Sequence, residues 1–239
     1  MAGRVFAVGV GPGAPGGVTE EAARAISASD VIIGHSYTLA TVAHLTAGKD
    51  VREVNMSTQE EAYRSVLPLG ERSLAVPFTG DVSFSESEVV DRLTEIFGEV
   101  ELVPGISAVQ VAAARTRIPL DKSRVITMHV TGPIEGKKEE MRDALSAGLC
   151  VFLVPRPWPS RPDLQFMPSD AARYLREGGL ETSSVRASVF ERLTTESESR
   201  FDGTVRDLEG MEFSDMCVAV LGSHRPDSYA NYRWQWERG

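Results

Sequence analysis

The first 115 residues constrain the fold most, because short apolar runs alternate there with amphipathic segments at a regular spacing. Arg4 to Val10, Asp30 to Gly34, Ser73 to Phe78 and Glu99 to Val103 read as strands. Thr19 to Ala28, Tyr37 to Leu45, Thr58 to Leu67, Glu86 to Phe97 and Ser107 to Arg115 read as helices. Parallel strands need a crossover long enough to hold a helix, so this order predicts a largely parallel sheet covered on both faces. The polar break from Pro119 to Lys122 marks the expected domain boundary, giving units of residues 1–118 and 119–239. The second half opens in the same style, with strands at Arg124 to His129 and Leu149 to Val154. Helices are predicted there over Lys138 to Ser146 and Pro168 to Glu177. It then changes character. Ser184 to Leu193, Glu198 to Arg206 and Asp215 to Leu221 read as three strands, the first two joined by a short polar turn, which predicts a mixed sheet with a hairpin. The expected class is α/β, mostly parallel in the first domain and mixed in the second. Beyond Ser223, Tyr229, Tyr232, Trp234 and Trp236 interleave with polar residues, a pattern suited to packing on the protein's own surface, on a neighbouring subunit, or over a substrate.

A chain of 239 residues that is 42% apolar and 25% charged can bury cores of this kind. No apolar run approaches the roughly 20 residues of a membrane-spanning helix. Met1 to Arg4 lead into a strand without a leader pattern, so a cytoplasmic protein with no membrane contact is expected. Lys and Arg number 25 against 34 Asp and Glu, and the net charge of −9 argues against broad nucleic-acid binding. A small anionic substrate stays open, since a few local arginines can overcome a weak global field. Cys150 and Cys217 sit in apolar strand-like runs without a CxxC and read as reduced packing residues. His35, His44, His129 and His224 lie far apart, so no metal site is inferred.

Gly9-Val10-Gly11-Pro12-Gly13-Ala14 follows a strand and fits the dinucleotide fingerprint on its surface. In that fingerprint the helix begins inside the motif and aims its N-terminus at a pyrophosphate. Here Pro15, Gly16 and Gly17 intervene, and Thr19 followed by Glu20 and Glu21 is the better helix start. The second strand ends in Gly34-His35, with no acid to hold a ribose. A nicotinamide cofactor is therefore disfavoured.

Three segments together resemble the tetrapyrrole methylase family, the class III methyltransferases. They are Val8 to Pro15 with Thr19 opening the next helix, Thr79-Gly80-Asp81-Val82-Ser83-Phe84, and Val103-Pro104-Gly105-Ile106-Ser107-Ala108-Val109-Gln110 leading into an alanine-rich helix. Within the family, the run Pro104 to Ala112 with Arg115 and Ile118-Pro119, joined by Glu191 to Thr194 and Phe213 to Asp215, is similar to the branch methylating C5 of precorrin-7 or cobalt-precorrin-7. Val82 stands where the family has proline. Pro155 to Pro159 stand where many relatives carry a threonine-aspartate pair.

The resemblance implies S-adenosylmethionine as cofactor, with S-adenosylhomocysteine as product. Open α/β sheets hold ligands beyond the carboxyl ends of their strands, and all three motifs fall at such ends, so a single cleft between the domains is expected. By resemblance, Gly11, Gly80, Asp81, Val82 and Phe84 would meet the cofactor from the first domain, with Asp81 accepting from its ammonium. Ser107 and Ala108 would meet it at a helix start, and Val154, Glu191 and Leu193 from the second domain. A turn carboxylate is the plainer role for Asp81 and an N-cap for Ser107. For the carboxylate-rich macrocycle, His35, Tyr37 and Arg156 are the candidate contacts, with Arg161 and Trp158 nearby.

The expected reaction is direct attack of an electron-rich ring carbon on the activated methyl, for which the protein mainly orients the reactants and excludes water. No catalytic residue is named from the sequence. The alternatives are another ring position, a different substrate, or a non-catalytic corrinoid-binding relative. The family also implies a homodimer and, in a chain of this length, a separate enzyme for C15 methylation and decarboxylation.

Overall fold

The computed structural model describes residues 3–158 and 160–224. Tyr229, Tyr232, Trp234 and Trp236 lie outside the described residues. The first half is a five-stranded parallel sheet in the order β3-β2-β4-β1-β5. Its strands are β1 (Val5–Gly9), β2 (Val31–Gly34), β3 (Asp50–Glu53), β4 (Leu74–Phe78) and β5 (Glu101–Val103). Every residue of β1, β2 and β4 is buried, as a parallel sheet covered on both faces requires.

Helices α1 (Glu20–Ala28), α2 (Ser36–Val42), α3 (Gln59–Arg64) and α4 (Ser87–Phe97) supply that cover. Ile26 of α1 and Val42 of α2 pack with Phe6, Val8 and Ile32 on one face. Tyr63 of α3 and Leu93 of α4 pack with Val5, Ala7, Val31 and Val76 on the other. Thr19 caps α1 as its position predicted, its hydroxyl accepting from the Ala22 N–H at 3.1 Å. Strand β3 is absent from the sequence-based reading. Its four residues, Asp-Val-Arg-Glu, lack an apolar run because this edge strand has one neighbour and an alternately solvated side. Asp50 and Arg72 clasp at 3.0 Å across that edge, and Arg52 with Arg72 draws the Asp50 carboxyl down to about 2.

The second half is a mixed sheet in the order β6-β7-β10-β8-β9. It comprises β6 (Ser123–Thr127), β7 (Cys150–Val154), β8 (Arg186–Glu191), β9 (Ser199–Thr204) and β10 (Cys217–Leu221). Only β6 and β7 run parallel, and β8 and β9 form the expected hairpin. Helices α6 (Glu135–Ser146) and α7 (Pro168–Glu177) cover one face through Met141, Leu145, Ala171 and Leu175.

The other face is covered by α5 (Ala108–Thr116), which follows β5 in sequence but leaves the first sheet. Val109, Ala112 and the following Ile118 pack with Phe152, Phe190, Leu193, Val218 and Val220. The two halves are thereby joined through a shared helix as well as through the chain.

Candidate functional site

The carboxyl ends of β1, β4 and β5 meet in three tightly fitted loops. Gly9 and Gly105 lie so close that a Cβ on Gly9 would come 2.6 Å from the Gly105 nitrogen, and one on Gly105 would come 2.2 Å from the Gly80 carbonyl oxygen. Gly80 turns the chain at φ +76°, in the left-handed region that glycine enters without a steric penalty. Its N–H donates to the Gly11 carbonyl at 2.8 Å, and the Gly11 N–H donates back at 3.2 Å.

Asp81 laces these loops together. One carboxylate oxygen accepts from the Ser83 N–H at 2.8 Å and from the Ser83 hydroxyl. The other accepts from the Gly105 N–H, 24 residues away, at 2.8 Å. Its side chain is buried, and both oxygens are used inside the protein. Ser107 completes a capping box for α5: its hydroxyl accepts from the Gln110 N–H at 3.1 Å, and its own N–H donates to the Gln110 side chain at 2.7 Å.

Beyond these loops a cleft opens between the two sheets. Gly80, Asp81, Phe84, Ser107 and Ala108 line it from one side, with Val154, Phe190, Leu193 and Val218 opposite. Of the residues expected from the sequence to meet the cofactor, seven line this cleft directly: Gly80, Asp81, Phe84, Ser107, Ala108, Val154 and Leu193. Gly11 lies behind Gly80, its backbone spent on that partner. Nearby, the Ala14 N–H donates to the Thr194 hydroxyl at 3.0 Å, so the glycine loop also seats one half on the other, while the Gly13 carbonyl accepts from Thr41 of its own half at 2.9 Å. Val82 points away, packing with Phe78 and Leu93 in the first core. Glu191 turns toward the Ser199 hydroxyl, 2.8 Å away, and the Ser214 N–H.

A second cavity adjoins the first and holds His35 and Trp158, with Tyr37 lining both. The His35 and Tyr37 rings stack at 5.6 Å. Arg156 is placed differently from the sequence-based expectation. Its side chain is 5% exposed, and its guanidinium donates to the Leu164 carbonyl and to those of Val130 and Gly132 at 3.2 and 3.1 Å. It thus holds loops together from beneath Trp158, whose ring centre lies 4.9 Å away. Arg161 pairs with Asp163 at 2.9 Å on the surface.

Five residues line both cavities: Tyr37, Thr79, Ser85, Glu86 and His129. Glu86, His129 and Asp215 were not singled out from the sequence as site residues. Ser85-Glu86-Ser87-Glu88 carries only the ordinary charge pattern of a solvated helix start, so nothing in it signals a half-buried acid. Burial pushes the Glu86 carboxyl up to about 7. Burial holds His129 below its usual value, opposed by the charge of Glu88. His35 is lowered in the same way, opposed by Glu53. Tyr37 is raised by burial, then by Glu86 and Asp215. Cys217, expected as simple packing, lines the cleft, and burial pushes its thiol up to about 12. Among the described residues the cleft wall carries the carboxyl groups of Asp81, Glu86 and Asp215 against the single guanidinium of Arg192. Such a wall favours a cationic ligand with an apolar body.

Comparison with known proteins agrees with this architecture. The solved structure of the methyltransferase CobJ superposes with a TM-score of 0.73 at 22% identity, covering 94% of this chain and 97% of that one. The probable cobalt-precorrin-7 C(5)-methyltransferase of Methanocaldococcus jannaschii is 23% identical over 222 residues, 90% of this chain and 96% of the relative. The probable cobalt-factor III C(17)-methyltransferase of Methanothermobacter thermautotrophicus is 26% identical over 152 residues, which is 61% of this chain and 43% of the relative. The match therefore spans less than half of that protein's length. Residues 4–209 match the profile of the Tetrapyrrole (Corrin/Porphyrin) Methylases. The chain belongs to the tetrapyrrole methylase family.

Proposed function

We propose that this chain methylates a ring carbon of a corrin precursor in cobalamin biosynthesis, with S-adenosylmethionine as donor. C5 of precorrin-7 or its cobalt form is the favoured position. The observation that carries the reading is the charge and shape of the cleft. S-adenosylmethionine is a nucleoside joined to an amino acid through a cationic sulfur. An apolar wall of Ala108, Val109, Val154, Phe190 and Leu193 suits its adenosine, and the carboxyl groups of Asp81, Glu86 and Asp215 suit its positive charge. Bound there, it supplies a methyl group already activated for transfer. The chain's own task is to place the acceptor carbon and keep water out. His35, Tyr37, Met56 and Trp158 offer the second cavity an amphipathic and partly aromatic wall suited to a macrocycle.

Asp81 acts in this reading by holding the loops, Gly11 by supporting Gly80, and Arg156 by fixing the floor under Trp158. The C5 position is supported by the motif run from Pro104 to Ala112 and by the printed name of the Methanocaldococcus relative. The same reading takes residues 1–118 and 119–239 as two domains bridged by α5, places the enzyme in a homodimer, and leaves C15 methylation and decarboxylation to a separate enzyme.

Calorimetric titration with S-adenosylmethionine and S-adenosylhomocysteine, with NAD as control, tests the cofactor. Micromolar binding of either sulfur ligand and none of NAD is expected. Carbon-13 spectra of the pigment after transfer from labelled donor then assign the ring position. A methyl at any other carbon overturns the C5 assignment alone, whereas absence of binding with and without pigment overturns the whole reading.

A further inference from the structure

We propose that Glu86 is the proton acceptor of the reaction, a catalytic residue on the wall shared by the donor cleft and the second cavity. The inference rests on the methyl-transfer reading above. A ring carbon that bears hydrogen and attacks the donor methyl forms a carbon–carbon bond while the sulfur–carbon bond breaks. The ring then carries a positive charge and one hydrogen too many for full conjugation. Breaking that carbon–hydrogen bond returns its electron pair to the ring, and the proton must pass to a base at the junction of the two ligands.

Glu86 stands at that junction. It lines both cavities, and its main chain is fixed at the start of α4 by accepting from the Val89 and Val90 N–H groups at 3.1 and 3.0 Å. Among the described residues its carboxyl makes no hydrogen bond or ion pair, and burial is the sole influence on its titration. No buried side-chain oxygen or nitrogen among the described residues is sealed in without a partner, so the Glu86 oxygens reach the open space of the cavities. A carboxylate lacing a loop, as Asp81 does, has its oxygens taken up by hydrogen bonds within the protein.

The other groups at this boundary are less suited. Tyr37 from α2 is raised and stays protonated at neutral pH, and Tyr63 from α3 is pushed up to about 12 by burial. His129, after β6, is lowered by burial and is the weaker base. Asp215, before β10, lies at the exposed rim of the cleft. On α4 itself, Glu88 is engaged by Thr131, whose hydroxyl donates at 2.7 Å, and Arg92 leans toward Glu60 at 3.9 Å. Among the described residues no cation therefore neutralises Glu86, and it meets the neutral range where a general base works best.

Two readouts test the assignment on Glu86→Gln and Glu86→Asp. The first needs no turnover: melting temperatures are followed from pH 5 to pH 9. A carboxyl raised from 4.5 to about 7 is favoured in its neutral form by folding, so wild type must lose stability relative to E86Q across that interval and no further above it. The second is methyl transfer to the pigment that wild type accepts. E86Q is expected to lower kcat on the order of 100- to 1000-fold, with S-adenosylhomocysteine affinity within about threefold, and to abolish the acidic limb of the kcat profile near pH 7. E86D is expected to keep that limb at a reduced rate. Turnover by E86Q within about threefold of wild type overturns the proposal and leaves the methyl-transfer reading standing. So does loss of S-adenosylhomocysteine binding in E86Q, which would make Glu86 a structural group. Wild type that binds no sulfur ligand and methylates no pigment overturns both.

Discussion

Asp81 spends a buried carboxylate on its own protein, and this changes what its removal would mean. Asp81→Ala leaves the Gly105 and Ser83 N–H groups without their acceptor, so a stability loss of about 1–3 kcal/mol is expected in denaturant titrations, together with weaker cofactor binding. Asp81→Asn is expected to recover less than half of that loss, because one amide group can accept from Ser83 but must then present N–H to N–H at Gly105. Wild-type stability in the asparagine variant would show the lacing to be dispensable. The residue types of the cleft were legible where a motif carried them, as at Gly80, Asp81, Ser107 and Leu193. They were illegible where only burial gives a residue its character. Glu86 sits in a run of serines and glutamates that reads as solvent-facing, and Arg156 sits in a proline-rich loop that reads as free. The fold buries Arg156 and half-buries Glu86.

Elements were read best where they are anchored twice, once by local signals and once by packing. Helix α5 has a serine cap, a returning glutamine and an apolar stripe, and the structure places it within one residue of the sequence-based span. Ser107→Ala should cost about 1 kcal/mol by thermal or chemical unfolding, near the middle of the range for a lost N-cap, and should weaken S-adenosylhomocysteine binding because the helix start lines the cleft. An unchanged Kd in a destabilised variant would separate the cap from the ligand. Strand β3 was missed for the converse reason. Its place at the sheet edge is set by pairing with β2 and by the clasp of Asp50 with Arg52 and Arg72, and neither leaves a hydrophobic trace in four residues. What the sequence also hid was the partner of α5. An alanine-rich helix after β5 fits the first sheet as well as the second, and only the assembled packing around Phe152 and Val218 decides between them.

At the scale of the molecule, a net charge of −9 and a cleft whose described residues carry more carboxyl groups than guanidinium groups act oppositely on the two proposed ligands. A cationic donor is drawn in and an acidic pigment is repelled until it docks. Raising salt from about 20 mM to about 200 mM shortens the screening length several-fold. KM for the pigment should therefore fall by about two- to fivefold while Kd for S-adenosylmethionine rises. Both constants moving in the same direction would show that the long-range field is not what separates the ligands.

The position of α5 sets how this protein can exchange parts with its relatives. A chimera that takes its second half from another member and joins it at Pro119 would lay a foreign sheet against a native helix, mismatching Val109 and Ala112 with whatever replaces Phe190 and Val220. Joined ahead of Ile106, the graft would carry its own helix, and the seam would fall in a loop held by backbone contacts among Gly9, Gly80 and Gly105. The unit that evolution or an engineer can shuffle thus begins about a dozen residues before the visible break in the sequence.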